Sequence, residues 1–209
     1  MGLMERIAFQ SDSYHLDGII SNGESPQERG ALILHPHPLY GGDMYNPVVT
    51  GLERVFLEAG YTTLRFNFRG ASTAGYAGVE GAVIDASNAL EILRSRGINQ
   101  FALAGYSFGG STALRLASET SPLLLITLSA SQALVEEGGF ELARLAEVTC
   151  PTLMFHGSSD MMVPHQDLNS LASRIGSDNV ETTFLEGEGH FYHRSLREVL
   201  DRIRNFLVQ

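Results

Sequence analysis

The spacing of apolar positions changes several times along the chain. Near its start, Arg6–Gln10 and Tyr14–Ser21 are short, mix polar with apolar residues and are separated by Ser and Asp, which predicts an antiparallel strand pair at a sheet edge. The runs then become more continuously apolar: Ala31–His35, Tyr61–Asn67, Phe101–Tyr106, Leu123–Ser129, Pro151–Gly157 and Val180–Gly187 are strand-length and bounded by Gly, Pro or Ser. Between them apolar residues recur at helical spacing. Pro47–Ala59 carries Val48, Leu52, Val55 and Phe56 near one face, Val83–Leu93 carries Val83, Leu90 and Leu93, and the last segment carries Leu196, Val199, Leu200, Ile203 and Phe206. Strands apolar on both sides need cover on both faces, so the alternation predicts an α/β fold: a mostly parallel central sheet, helices on both faces and an antiparallel N-terminal pair. No repeat, low-complexity tract or Pro/Gly/Ser linker breaks the pattern, and residues 1–209 read as one domain. In such a sheet, ligand sites gather where loops leave the C-terminal ends of the strands.

Composition narrows the function. With 44% apolar and 18% charged residues, 209 residues can bury a substantial core. Fourteen Lys and Arg against twenty-four Asp and Glu give a net charge of -10, which repels a phosphate backbone, so no nucleic-acid partner is expected. No apolar run approaches the roughly 20 residues that cross a bilayer. The opening MGLMERIAFQ lacks the apolar stretch of a secretory signal, and Arg6 stands where a myristoylation signal has Ser or Thr. The single cysteine, Cys150, rules out an internal disulfide framework; beside Pro151 and an apolar run it reads as a core residue. A cytoplasmic protein with no membrane partner is expected, and a homodimer is compatible with such a chain.

Three strand ends carry chemistry. GYSFGG (Gly105–Gly110) follows an apolar strand and precedes STALRLAS, a helix rich in small residues. This is the G-x-S-x-G form, in which a serine on a sharp strand-to-helix turn holds its hydroxyl clear of the sheet, with glycines where larger side chains would collide. The motif is weak by itself in a chain with 22 glycines; the flanking strand and helix give it weight. Ser107 is the candidate nucleophile, and the N–H of Phe108 points from the first helical turn toward where an oxyanion would form. Asp160 lies in the polar loop of MFHGSSDMMVP, and His190 follows the next strand in FLEGEGHFYH. The order Ser107, Asp160, His190 is that of nucleophile, acid and base on this architecture. Asp167 and His193 are the rivals. Asp167 follows Pro164 and is expected on a helix, and His193 is expected three residues into the final helix, so Asp160 and His190 are favoured.

Taken in order, LHPHPLYGG, RFNFRG, GYSFGG, HGSSDMMVP and GEGHFYH resemble the motifs of the α/β-hydrolase superfamily, near its dienelactone-hydrolase-like and small bacterial esterase-like members with an H-P-H-P loop. The resemblance covers nearly the whole chain. It implies the α/β-hydrolase fold and acyl transfer, with His190 taking the Ser107 proton and Asp160 fixing the imidazole tautomer. The implied activity is a serine hydrolase cleaving small to medium carboxylic esters or thioesters through an acyl-enzyme, with a small-molecule acyl substrate and no cofactor. Relatives in which an H-G-x-P loop donates from the x position imply that His37 supplies the second oxyanion N–H, since Pro36 and Pro38 have none. The prolines would stiffen that loop, and His35 reads as structural. Larger relatives insert a cap after the strand that here is Leu123–Ser129. The segment Ala130–Thr149 has room for one helix around Phe140–Ala146, so no large cap is expected. Tyr40, Tyr76, Phe108, Met161, Met162 and Phe191 are candidate substrate contacts around a shallow site, and the Gly-rich ASTAGYAGVEGA reads as a flexible rim.

Competing readings remain. His35 and His37 with Asp43, His190 and His193 resemble part of a metal cluster, but H-E-x-x-H and a Cys pair are missing, so no metal site is expected. Arg65 and Arg69 suggest an anion site, against which the resemblance implies an Arg-Gly turn that braces neighbouring loops. The same triad could serve a small peptidase or a perhydrolase, and a catalytically silent interaction module would keep the fold without the chemistry.

Overall fold

The computed structural model describes residues 3–23, 28–71 and 75–208, so the first two residues and part of the Gly-rich rim, 72–74, lie outside it. Eight strands form one sheet in the order β1-β2-β4-β3-β5-β6-β7-β8. Strands β1 (Met4–Ser11) and β2 (Tyr14–Ser21) pair antiparallel at one edge, and β2 runs antiparallel to β4 (Thr62–Phe66). From β4 onward every pairing is parallel, through β3 (Arg29–Leu34), β5 (Gln100–Tyr106), β6 (Leu125–Leu128), β7 (Thr152–Gly157) and β8 (Val180–Leu185).

The two-residue period of the strands divides the core. Ala31 and Ile33 of β3, with Ala102 and Ala104 of β5, pack on one face under α1 (Pro47–Glu58) and α6 (Leu196–Leu207). Leu32, Leu34 and Leu103 point the other way, under α2 (Gly78–Ser95), α3 (Phe108–Glu119) and the short α4 (Gln132–Val135) and α5 (Gln166–Ala172). Double cover is why these strands are apolar on both sides. The predicted architecture is the observed one, with no cap over the sheet among the described residues.

Three local expectations are corrected. Helix α2 starts at Gly78, not Val83, because its first turn is capped from a distance: the Glu137 carboxylate accepts the Val79 N–H at 2.9 Å. The expected helix at Phe140–Ala146 is instead a 3-10 turn over Leu142–Glu147, preceded by α4 and a second 3-10 turn at Glu137–Gly139, where Gly138 leaves helical geometry. His193 is not in the final helix; it is exposed in the turn before Leu196, for a reason given below.

Candidate active site

The ends of β5, β7 and β8 bring Ser107, Asp160 and His190 together. Ser107 occupies the step from β5 into α3 with φ 55° and ψ −117°, a strained conformation for a residue with a Cβ. The step is tight because a Cβ on Gly109 would stand 2.3 Å from the Leu34 carbonyl oxygen and one on Gly105 2.1 Å from that of Gly109. Ser107 Oγ lies 3.0 Å from His190 Nε2, and His190 Nδ1 lies 2.7 Å from Asp160 Oδ2. A carboxylate only accepts, so Nδ1 carries the hydrogen and the lone pair of Nε2 faces the serine.

Asp160 is fixed by more than His190. Its Oδ1 accepts the amides of Met162 and Val163, each at 2.9 Å, and its side chain is wholly shielded from solvent. Burial pushes this carboxyl upward, but the hydrogen bonds from His190, Val163 and Met162 outweigh it and hold the group at about 2. The rival Asp167 sits on α5, where it accepts the Gln132 amide at 2.8 Å.

The loop bearing His190 owes its shape to residues that no motif singled out. Glu188, between two glycines and buried, accepts the amides of Gly189 and Arg194 at 2.9 Å and that of Ser195 at 2.6 Å. Those bonds take up the amides of 194 and 195, and with the positive φ of Tyr192 they hold His193 in the turn before α6. Burial raises the Glu188 carboxyl and the three amides more than reverse the effect, so it sits below its ordinary value. Tyr106, the variable residue of the G-x-S-x-G form, donates its hydroxyl to the His190 carbonyl at 2.8 Å. His156 was also missed. It is buried, sets Nε2 3.2 Å from the Val163 carbonyl and 3.5 Å from Asp160 Oδ2, and burial holds its pKa down.

The two histidines of LHPHPLYGG have different employment. His35 is fully buried; its Nε2 accepts the Phe68 amide at 2.9 Å, which leaves Nδ1 to donate to the Pro36 carbonyl at 2.6 Å. Burial pulls His35 down to about 4, so it stays neutral. No cis peptide occurs among the described residues, and a trans peptide directs its C=O and N–H in opposite senses. With the Pro36 carbonyl turned to His35, the His37 amide therefore points away from it. The His37 carbonyl accepts from Tyr40 and Gly42 at 3.1 and 3.0 Å, closing a 3-10 turn over Pro38–Tyr40. A Cβ on Gly42 would fall 2.2 Å from the Pro36 oxygen, so only glycine lets the chain fold back there. His37 itself accepts the Leu39 amide through Nδ1 at 3.3 Å and meets the Tyr76 hydroxyl through Nε2 at 3.0 Å.

A cleft of about 90 Å³ opens over Ser107 and His190, walled by His37, Tyr40, Met162 and Phe191, with Asn46 and Tyr106 among the residues that had not been anticipated. Phe108 is buried beneath this wall, with its ring 4.9 Å from that of His37. Tyr76 lies behind His37 rather than in the cleft wall, and Met161, 95% exposed, stands outside it. Among the described residues no three His, Cys, Asp or Glu side chains gather closely enough to hold a metal ion, and both nitrogens of His35 and of His37 have protein partners. Arg65 and Arg69 are likewise engaged. Arg65 binds Glu53 at 2.7 Å and the Met44 carbonyl at 3.0 Å, and Arg69 binds the buried Asp85 at 2.6 Å and Asp12 at 2.9 Å. They brace the strand ends that carry the loops. Cys150 is buried, and no helix among the described residues is long and apolar enough to cross a membrane.

Comparison with known proteins identifies the family and the fold. The profile of the dienelactone hydrolase family matches residues 69–201. An alpha-beta serine hydrolase homologue from Coxiella burnetii is 31% identical, covers 97% of each chain and superposes with a TM-score of 0.85. A lidless α/β serine hydrolase from Xanthomonas campestris is 26% identical over 97% of this chain and 92% of its own, with a TM-score of 0.82. An uncharacterized protein of Rickettsia prowazekii is 29% identical over 98% of this chain and 89% of its own.

Proposed function

Since the chain belongs to the dienelactone hydrolase family, we propose that it is a serine hydrolase that cleaves small to medium carboxylic esters or thioesters through an acyl-enzyme on Ser107. The observation that carries this reading is the unbroken hydrogen-bonded series from Ser107 Oγ through His190 to Asp160, at 3.0 and 2.7 Å. His190 takes the serine proton on Nε2 as Oγ attacks the carbonyl carbon, and Asp160 stabilises the imidazolium that results. The proton then passes to the departing alkoxide or thiolate, and water cleaves the acyl-enzyme by the same route.

The amides of Phe108 and His37 are the proposed oxyanion donors. Phe108 opens α3, so its N–H has no carbonyl to bond within the helix. The His35 bond to the Pro36 carbonyl supports the His37 assignment, because it holds that peptide with its N–H turned the other way. Losing one such donor commonly costs about 3 to 4 kcal/mol of transition-state stabilisation. The cleft's volume of about 90 Å³ is well under the roughly 300 Å³ at which ligand pockets begin, which supports a small acyl group with the remainder of the substrate over the open rim of Tyr40, Met162 and Phe191. The acidic net charge and single buried cysteine are in keeping with a cytoplasmic enzyme acting on a small molecule rather than on nucleic acid.

A fluorophosphonate probe and a graded ester panel test the reading together. Labelling of the wild-type chain at Ser107, activity falling as the acyl chain lengthens, and loss of both in Ser107→Ala are expected. Unlabelled, folded protein contradicts the proposal, as does activity that survives in Ser107→Ala.

A further inference from the structure

The ring of His37 is more elaborately held than a donor of one backbone N–H requires. Its Nδ1 accepts the Leu39 amide, which leaves the hydrogen on Nε2, so the ring donates to the Tyr76 hydroxyl at 3.0 Å. Around it stand three other rings, with centroids at 4.7 Å for Tyr40, 4.9 Å for Phe108 and 5.1 Å for Tyr76. Tyr76 in turn lies 6.1 Å from Phe108. The two residues proposed to donate the oxyanion hydrogen bonds, His37 and Phe108, thus pack side chain against side chain, although they come from different loops, and Tyr76 backs both.

We infer that Tyr76 and the imidazole of His37 are positioning residues that set the direction of the His37 amide and its distance from the amide of Phe108. The inference rests on the oxyanion assignment above and extends it. His35 fixes one end of the Pro36–His37 peptide through the Pro36 carbonyl. Rotation about N–Cα of His37 would still swing its amide relative to the turn that follows. The ring is attached to that same Cα, so a ring held at both nitrogens and packed on Phe108 removes this freedom. An oxyanion site stabilises charge in proportion to how well its donors are prearranged, because no reorganisation is then needed as the charge develops.

The experiment compares Tyr76→Phe, which keeps the ring and removes the hydroxyl, with His37→Asn, whose side-chain oxygen can still cap the turn at Leu39 as Asn46 caps Val48. Melting temperature, kcat, KM and the affinity of a simple alkyl boronic acid, which forms a tetrahedral adduct on Ser107, are measured for each. Tyr76→Phe is expected to lower kcat about tenfold, a fraction of the 10²–10³ that follows loss of an oxyanion donor outright. KM should stay within about twofold, and boronate affinity should fall by the same factor as kcat. The Tyr76→Phe/His37→Asn double variant should be little worse than the worse single, since both remove one interaction. Wild-type kcat and boronate affinity in folded Tyr76→Phe overturn the inference, and so does a raised KM at unchanged kcat, which would make Tyr76 a substrate contact. In either case Ser107 is still labelled in the wild-type chain; failure of that labelling counts instead against the serine-hydrolase reading itself.

Discussion

Replacing Asp160 with Asn tests the chemistry with little change of shape. Asp160 Oδ1 accepts two backbone amides at 2.9 Å, whereas Oδ2 accepts from His190 at 2.7 Å. Asn has one acceptor oxygen. Keeping it on Oδ1 satisfies the amides of Met162 and Val163, so the NH₂ group is driven to the side that faces His190. Two N–H groups cannot bond each other, and His190 escapes by moving its hydrogen from Nδ1 to Nε2. The hydrogen then points at Ser107, and the ring no longer accepts the serine proton. For a triad disabled through its tautomer the expected loss in kcat is about 10⁴-fold, or some 5 kcal/mol. Stability carries a second signature. A carboxyl held at about 2 rather than 3.8 favours the folded state by about 1 to 2 kcal/mol after screening. Because the folded value is the depressed one, this contribution is complete above the ordinary carboxyl range and disappears as pH falls from about 4 through about 2. The melting-temperature gap between wild type and Asp160→Asn should accordingly narrow across that window. Rates with a short-chain ester and of fluorophosphonate labelling, read beside melting curves from pH 7 to pH 2, make the measurement. A folded Asp160→Asn protein with kcat within about tenfold of wild type would refute the tautomer argument.

Two further outcomes follow from the loops. Glu188→Ala strips three amides of their acceptor, and at roughly 1 to 3 kcal/mol for a buried group left unpaired the variant should melt at least several degrees lower, with kcat reduced because the His190 turn loosens. The Glu188 carboxyl is also depressed, so its contribution is present above the ordinary Glu value and lost in acid; a melting-temperature gap that stays constant down to pH 3 would count against it. Gly109→Ala would drive a methyl to 2.3 Å from the Leu34 oxygen and 2.6 Å from that of His35, so the protein should fail to fold or lose fluorophosphonate labelling; a stable variant labelled at the wild-type rate contradicts the crowding read at this step.

What the sequence showed depended on how local the cause was. The strand–helix alternation was legible because double cover forces apolar residues on both sides of β3 and β5, and α6 because Val199, Leu200, Ile203 and Phe206 recur at helical spacing. The start of α2 was not legible, because its capping carboxylate, Glu137, lies 58 residues downstream of the amide it accepts. The segment after β6 was misread as one helix because its turns are 3-10 and are interrupted at Gly138. At the candidate site, Ser107, Asp160 and His190 stood out since each follows a strand and two lie in Gly-flanked turns. His193 was misplaced because Glu188, an acid in a short GEG string, takes up the amides that would otherwise open the helix.

The residues least visible in the sequence are those that prevent the site from relaxing. Ser129 and Tyr192 are both buried with positive φ, 47° and 55°, conformations that cost about 1 to 3 kcal/mol for residues with side chains. Their hydroxyls lie 2.9 Å apart, and Tyr192 also donates to the Phe155 carbonyl at 3.3 Å. The two strained turns, 63 residues apart, are tied to each other by that bond and both to Phe155, whose carbonyl also accepts the Ser129 amide at 2.8 Å. The Tyr192 ring meets that of Tyr106 edge-on at 5.8 Å, and Tyr106 holds the His190 carbonyl. His190 is therefore fixed from below by buried tyrosines and from the side by Asp160, while the peptide proposed to meet the oxyanion is fixed by His35. A candidate site whose residues lie on three loops needs such long-range polar ties, because apolar packing constrains position without constraining direction. That requirement accounts for the buried Ser, Tyr, His and Glu in a region that hydrophobic burial alone would have filled with Leu and Val.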